Sequence, residues 1–423
     1  MNAVIRQWRE LCVIAITAAL VGSYVGHVAS LAPRSRATTD FSSTYVGATI
    51  VRLGEAQRIY DLSLQASIGN RLLAPDPLVF PFEVVALGAL SAAPLTLLSV
   101  SDAFDVWAAL QLLLVVGAVA VVVREARRRS RVTRLAALAM VGIGVAAAGT
   151  GNLIAVGQWP GFNALGVAMA YRCWSRGRHA SGAAWIVGTA ALAKPHLAIG
   201  LLVFIGAWGN RRALLGAGAA IAAAAAAFVG LVGIAGAAAF VHGAVQSNVV
   251  SSERGGAGIL ALPSTWFNDG LLTYPVGFAA AALLLVACAV IGRRVHHNPA
   301  LLSAGFAAAT VLSVLVSPHA FLYDDVMIAP AVAWSLVELG LFSRGHRRSL
   351  ANPWTIVVLW LAVPLVQFTF TAQMTPVVLR VGELFVWSTL LLAVTLWTLG
   401  RDRYASTWSA SRAPTSTAML PTG

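Results

Sequence analysis

Residues 124–134 read Arg-Glu-Ala-Arg-Arg-Arg-Ser-Arg-Val-Thr-Arg, six arginines in eleven positions, directly after the apolar run Ala103–Val123. A helix rises about 1.5 Å per residue, so a run of that length crosses the roughly 30 Å hydrocarbon core of a bilayer. Cytoplasmic loops retain Lys and Arg, so 124–134 marks the inside and Ala103 enters from the outside. The segment before it, Phe80–Leu98, is apolar and almost long enough to cross. If it crossed, the six arginines would be carried outward. It is therefore read as a juxtamembrane or re-entrant helix that starts and ends outside, which Pro81 and Pro94 suit.

The same rule orders the rest of the chain. Spans are expected at 11–31, 103–123, 133–150, 160–174, 182–193, 197–209, 213–240, 272–292, 299–316, 322–342, 354–373 and 378–399. Twenty-one of the 29 Lys and Arg then fall on the side of 124–134, with Arg6, Arg172, Arg211, Arg293, Arg344 and Arg401 among them, and 12 of the 16 Asp and Glu fall on the other. Both termini lie inside. Apolar residues make up 58% of the chain and charged ones 11%, and the mean hydropathy is +0.79. The net charge of +13 is thus explained by helix orientation, and no nucleic-acid partner is expected. The expectation is an all-α polytopic membrane protein of about twelve spans. It forms one domain over 1–403, with outer loops at 32–102 and 241–271, and a disordered cytoplasmic tail at 404–423 rich in Ser, Thr, Pro and Ala. Val28-Ala29-Ser30 could pass for a cleavage box, but the apolar stretch exceeds a usual signal core and is read as an uncleaved first span. Cys12, Cys173 and Cys288 fall near cytoplasmic helix ends and imply no disulfide.

The polar groups of the outer face converge from separate loops. The short fifth and sixth spans meet at Ala193-Lys194-Pro195-His196, an outer apex carrying the chain's only lysine. Gly157-Gln158, then Ser317-Pro318-His319 through Asp324-Asp325, complete the face. Two folded outer loops above a wall of spans suit an enzyme that takes a lipid-linked substrate.

Asp40-Phe41, Tyr45 and the run Leu53-Gly54-Glu55-Ala56-Gln57-Arg58-Ile59-Tyr60-Asp61 resemble the opening of family 87 glycosyltransferases. Phe80-Pro81-Phe82 with Pro94, Gly157-Gln158, Lys194-Pro195 and Ser317-Pro318-His319 follow in that family's order, spread over about 10–345. After Ser-Pro, this chain departs from many relatives, reading His-Ala-Phe-Leu-Tyr-Asp-Asp. The resemblance implies a GT-C fold with a long outer first loop containing juxtamembrane helices, in a bacterial inner (cytoplasmic) membrane, with the active site facing outward. It implies inverting transfer of a hexose, mannose in the family pattern, from a polyprenyl-phosphate donor to the hydroxyl of a glycolipid or glycan acceptor.

Such a transfer needs a base for the acceptor hydroxyl and cations for the departing phosphate. Asp40, flanked by Thr38, Thr39, Ser42, Ser43 and Thr44, is either that base or an N-cap; the resemblance favours the base. Lys194 is assigned to the donor phosphate, against an ion pair with Asp324 or Asp325, because a lone ammonium at membrane depth needs a cavity or a partner. His319 either shares the proton taken from the acceptor or is structural. Arg254 either closes over phosphate or, the favoured reading, is a solvated loop charge, and Arg71 and Arg58 are second-tier phosphate candidates of the same kind. Gln158 binds a sugar hydroxyl or caps the next helix, and Trp266 stacks on a sugar or anchors at the interface. Asp324 and Asp325 join the substrate-facing set. No cofactor is expected: Asp40, Asp269, His319, Asp324 and Asp325 could supply metal ligands, but no ligand spacing demands an ion. The rival classes are a transporter or lipid-sugar flippase, using Lys194 and the acids as a path, and a non-catalytic envelope subunit.

Overall fold

The computed structural model describes residues 3–74, 80–130, 132–253, 259, 270–318, 320–342, 353–370 and 386–401. The expected tail at 404–423 lies outside them. Among the described residues the chain is helical without strands. Five helices are long and apolar enough to cross a membrane: α1 (Ala3–Ser30), α6 (Val100–Arg127), α12 (Arg211–Glu253), α13 (Gly270–His297), and α14 (Leu302–Val316) together with the 3-10 turn Pro299–Leu301 before it.

Between α1 and α6 the segment expected outside folds into α2 (Pro33–Ala37), α3 (Phe41–Arg52), α4 (Leu62–Leu73) and α5 (Ala86–Ala92). Helix α5 continues into a 3-10 turn at Ala93–Leu97, where Pro94 sits in the first turn. The apolar helix Ala86–Leu97 is therefore too short to cross a bilayer unaided. Tyr60 Oη donates to Val84 O at 3.0 Å and Tyr45 Oη to Leu98 O at 2.7 Å, so both ends are held by the segment between α1 and α5. Gly88 seats the helix on α10 (His179–Leu192): a Cβ there would lie 2.5 Å from Leu192 O.

Two expected spans are broken rather than continuous. The third splits into α7 (Arg134–Val145) and α8 (Ala148–Val156), bent by 56°. Tyr24 Oη donates to Ala146 O at 3.0 Å, satisfying a carbonyl at the break. Its ring fits there because a Cβ on Gly151 would come within 2.8 Å of it. The tenth span becomes a 3-10 turn, Leu322–Met327, followed by the ten-residue α15 (Ala329–Glu338) with proline in its first turn. Helices α9 (Gly161–Trp174), α10 and α11 (Ile199–Trp208) have 14, 14 and 10 residues, short of the roughly 20 of a plain span. Helices α16 (Pro353–Phe370) and α17 (Val386–Arg401) complete the chain.

The basic segments after α6 and after α9 meet at one end of the bundle. Arg176 and Arg128 both pair with Glu125, and Arg129 donates to Ser175 O. Below them Tyr171 stacks on Trp334 at 4.4 Å, and its hydroxyl donates to Glu338, which also accepts from Ser303, joining α9, α14 and α15. Since α6 and α9 both run away from the opposite end, that end receives Asp40, Gln158, Lys194 and Asp324.

Candidate active site

Asp40 precedes α3, whose residues Phe41 to Ile50 are all buried. Phe41 fixes the helix start, its ring 5.9 Å from Phe104 and 6.0 Å from Trp107. Arg36 ties the preceding elbow to α6 by pairing with Asp105 at 2.6 Å and donating to Ala29 O at 3.1 Å. The Asp40 side chain does not cap α3. Nor do its hydroxyl neighbours orient it: Thr38 and Thr39 bond back to backbone carbonyls, and Ser43 Oγ donates to Asp40 O. Its carboxylate instead accepts from Gln158 Nε2 at 2.7 Å, across 118 positions.

Gln158 stands in the turn between α8 and α9. Gly157 is left-handed there (φ 71°) and packs so closely that a Cβ would lie 2.6 Å from Phe41 Cβ, so only glycine serves. Trp107 Nε1 donates to Gly157 O at 2.9 Å, and Trp159 Nε1 donates to Thr44 Oγ1 at 3.0 Å. The residue preceding α9 is Pro160, with no side-chain cap, so the expected capping role of Gln158 is absent.

Lys194 follows the end of α10, before the 3-10 turn Pro195–Ala198. It is 5% exposed, and its Nζ lies 2.9 Å from Asp324 Oδ1 and 4.4 Å from the centre of the Tyr323 ring. Asp324 is fully buried, and its other oxygen accepts from Phe321 N at 2.8 Å. Of the two readings of Lys194, the ion pair is therefore formed, with Asp324 as counter-ion rather than an open ligand. Asp325 turns the other way, its Oδ1 buried against Gly149 in the first turn of α8 without a hydrogen-bond partner among the described residues. A Cβ on Gly149 would lie 1.5 Å from Asp325 Oδ1. The two adjacent acids thus face two different elements, one the Lys194 apex after α10 and the other the start of α8. Tyr323 lies between, close enough to feel the charges of both Asp324 and Asp40.

Other expected residues are placed less centrally. Arg71 is exposed on the last turn of α4, and Arg58 is engaged with Glu55 and Asp61. Asp61 caps α4 by accepting from Ser63 N and Leu64 N. The Ser63 hydroxyl, the Arg58 guanidinium and these N–H groups hold its carboxyl well below the usual carboxylate range. Tyr60 and Asp61 are thus architectural. His319, Arg254, Trp266 and Asp269 lie outside the described residues. No group of three or more His, Cys, Asp or Glu side chains forms a metal cluster among the described residues. Tyr323 and Trp159 were not singled out by the sequence, and Thr44 was named only as a neighbour of Asp40. Tyr323 could have been, as an aromatic immediately before the two acids.

Curated proteins give no match to the chain, and solved structures give none either. The model of glycosyltransferase family 87 matches residues 86–318, more than half of the chain. The match contains Gln158, Lys194 and Ser317-Pro318, begins after Asp40 and Tyr60-Asp61, and ends before Asp324. With its apolar helices and converging polar turns, the chain belongs to glycosyltransferase family 87 as a multi-pass membrane glycosyltransferase.

Proposed function

We propose that the protein moves a hexose, mannose in the first instance, from a polyprenyl-phosphate donor to the hydroxyl of a glycolipid or glycan acceptor at the outer face of the cytoplasmic membrane. The observation that carries this is Asp40. Its carboxylate leaves the helix cap undone and reaches the Gln158 turn, at the end of the bundle that also carries the Lys194–Asp324 pair. A carboxylate and a buried cation at the same end of the bundle supply the base and the phosphate-facing charge that the reaction needs.

In the step proposed, Asp40 takes the proton of the acceptor hydroxyl as that oxygen attacks the anomeric carbon. The bond from this carbon to the phosphate oxygen breaks, and its electron pair leaves with polyprenyl phosphate. Attack opposite the leaving group inverts the anomeric centre. Lys194 faces the developing phosphate charge, with Asp324 balancing it before the donor arrives. Arg71, exposed on α4, is a more distant phosphate contact. The phosphate is already a good leaving group, so no resident metal is required of the step.

The test is transfer by the purified full chain in lipid, offered radiolabelled polyprenyl-phosphate mannose and a membrane-lipid extract. Labelled glycolipid is the expected product. Label transferred only from a different lipid-linked sugar would correct the donor, and transfer only from a nucleotide sugar would overturn the proposal.

A further inference from the structure

Resting on the reading of Asp40 as the base, we propose that Gln158 is its positioning residue, holding Asp40 Oδ2 so that Oδ1 alone meets the acceptor hydroxyl. The bond from Gln158 Nε2 to Asp40 Oδ2, 2.7 Å, is the only side-chain partner of the Asp40 carboxylate among the described residues. Asp40 is half-buried, and Oδ1 is neither hydrogen-bonded nor among the sealed polar atoms, which leaves it open to a hydroxyl. A carboxylate only accepts, so the NH2 end of the amide must face it. Gln158 Oε1 points to a buried place without a partner, so the amide has no other bond to gain by turning.

The turn that carries Gln158 is gripped by the helix that carries Asp40. Thr44, one turn on from Asp40, accepts from Trp159 Nε1, and Phe41 leaves no room for any side chain at position 157. On the far side Trp107 Nε1 holds Gly157 O. The distance between amide and carboxylate is thus set by packed aromatic groups on both sides of the bond. Such preorganisation matters for the reacting geometry and not for donor affinity.

The experiment separates kcat from binding in Gln158→Leu, using the full chain in lipid with radiolabelled polyprenyl-phosphate mannose and a membrane-lipid extract. The kcat should fall about 10- to 100-fold, as for a misplaced catalytic group, with the donor KM within about twofold of wild type. Donor Kd, measured in the inactive Asp40→Asn background, should be the same with and without Gln158→Leu. Gln158→Asn, which withdraws the amide by one methylene, serves if Gln158→Leu does not fold, with the same expected split. A Kd weakened tenfold or more in the Asp40→Asn background would make Gln158 a donor ligand and overturn the proposal. A wild-type kcat in Gln158→Leu, with Asp40→Asn inactive, would overturn it while leaving the base in place. A fully active Asp40→Asn would remove the base, and this inference with it.

Discussion

The Lys194 ammonium and the Asp324 carboxylate, 130 positions apart, meet at 2.9 Å with both side chains almost wholly buried. Neither charge is tolerable alone at that depth. Lys194→Met or Asp324→Leu should each destabilise the protein by about 3–5 kcal/mol, because each leaves its partner buried and uncompensated. The double variant should recover most of that stability without recovering transfer. Unfolding in a fixed detergent, followed beside the transfer assay, checks both halves.

Gly149 is the point where Asp325 meets α8. Gly149→Ala would place its methyl 1.5 Å from Asp325 Oδ1, so the turn must shift. A destabilisation of about 1–3 kcal/mol is expected, as for an overpacked core. Gly218→Ala, where nothing lies within 4 Å of the added carbon, should leave stability nearly unchanged. Equal melting of the two variants would dismiss the clamp between Asp325 and α8.

The cap of α4 should respond to acid. Its Asp61 carboxyl is lower in the folded protein than in an unfolded chain, where it titrates near about 3.9. The contribution is therefore complete above that value and is lost as pH falls through the lower folded value. Hydrogen exchange in α4 should speed up as pH falls below about 4, after correction for the intrinsic pH dependence of exchange. Asp61→Ala, which removes the accepting oxygen, should already show the weakened protection at pH 6, and a protected variant would remove the cap from the account.

Transfer should persist in chelator. On the proposal that Lys194 supplies the charge opposite the phosphate, excess EDTA is expected to change kcat by less than about twofold, which is within 0.4 kcal/mol. Activity lost in EDTA and restored by manganese or magnesium would give the reaction a metal.

The long apolar helices were legible because length and loop charge are local properties of the chain. Helices α1, α6, α12 and α13 and the Pro299–Val316 helix coincide with expected spans. The break between α7 and α8 was not legible, since 133–150 holds no proline. It is set by Tyr24 on α1 and by Asp325, both distant in sequence. Asp40 and Lys194 stood out because ionisable groups beside a membrane are costly and rarely idle. Asp324 was weighed as the alternative partner of Lys194, but the bond between Gln158 and Asp40 was not legible, since the two meet only through turns that fold together. The hydroxyl residues around Asp40 misled for the same reason, since sequence proximity places them on the helix backbone and not on the carboxylate.

The most direct measurement of the central claim compares wild type and Asp40→Asn as purified full chains in lipid, with radiolabelled polyprenyl-phosphate mannose and a membrane-lipid extract. The account expects both to fold and to bind the donor alike, with labelled product from wild type and a loss of at least about a thousandfold in Asp40→Asn, near the middle of the range for general-base catalysis. Product formed by Asp40→Asn at the wild-type rate would contradict it.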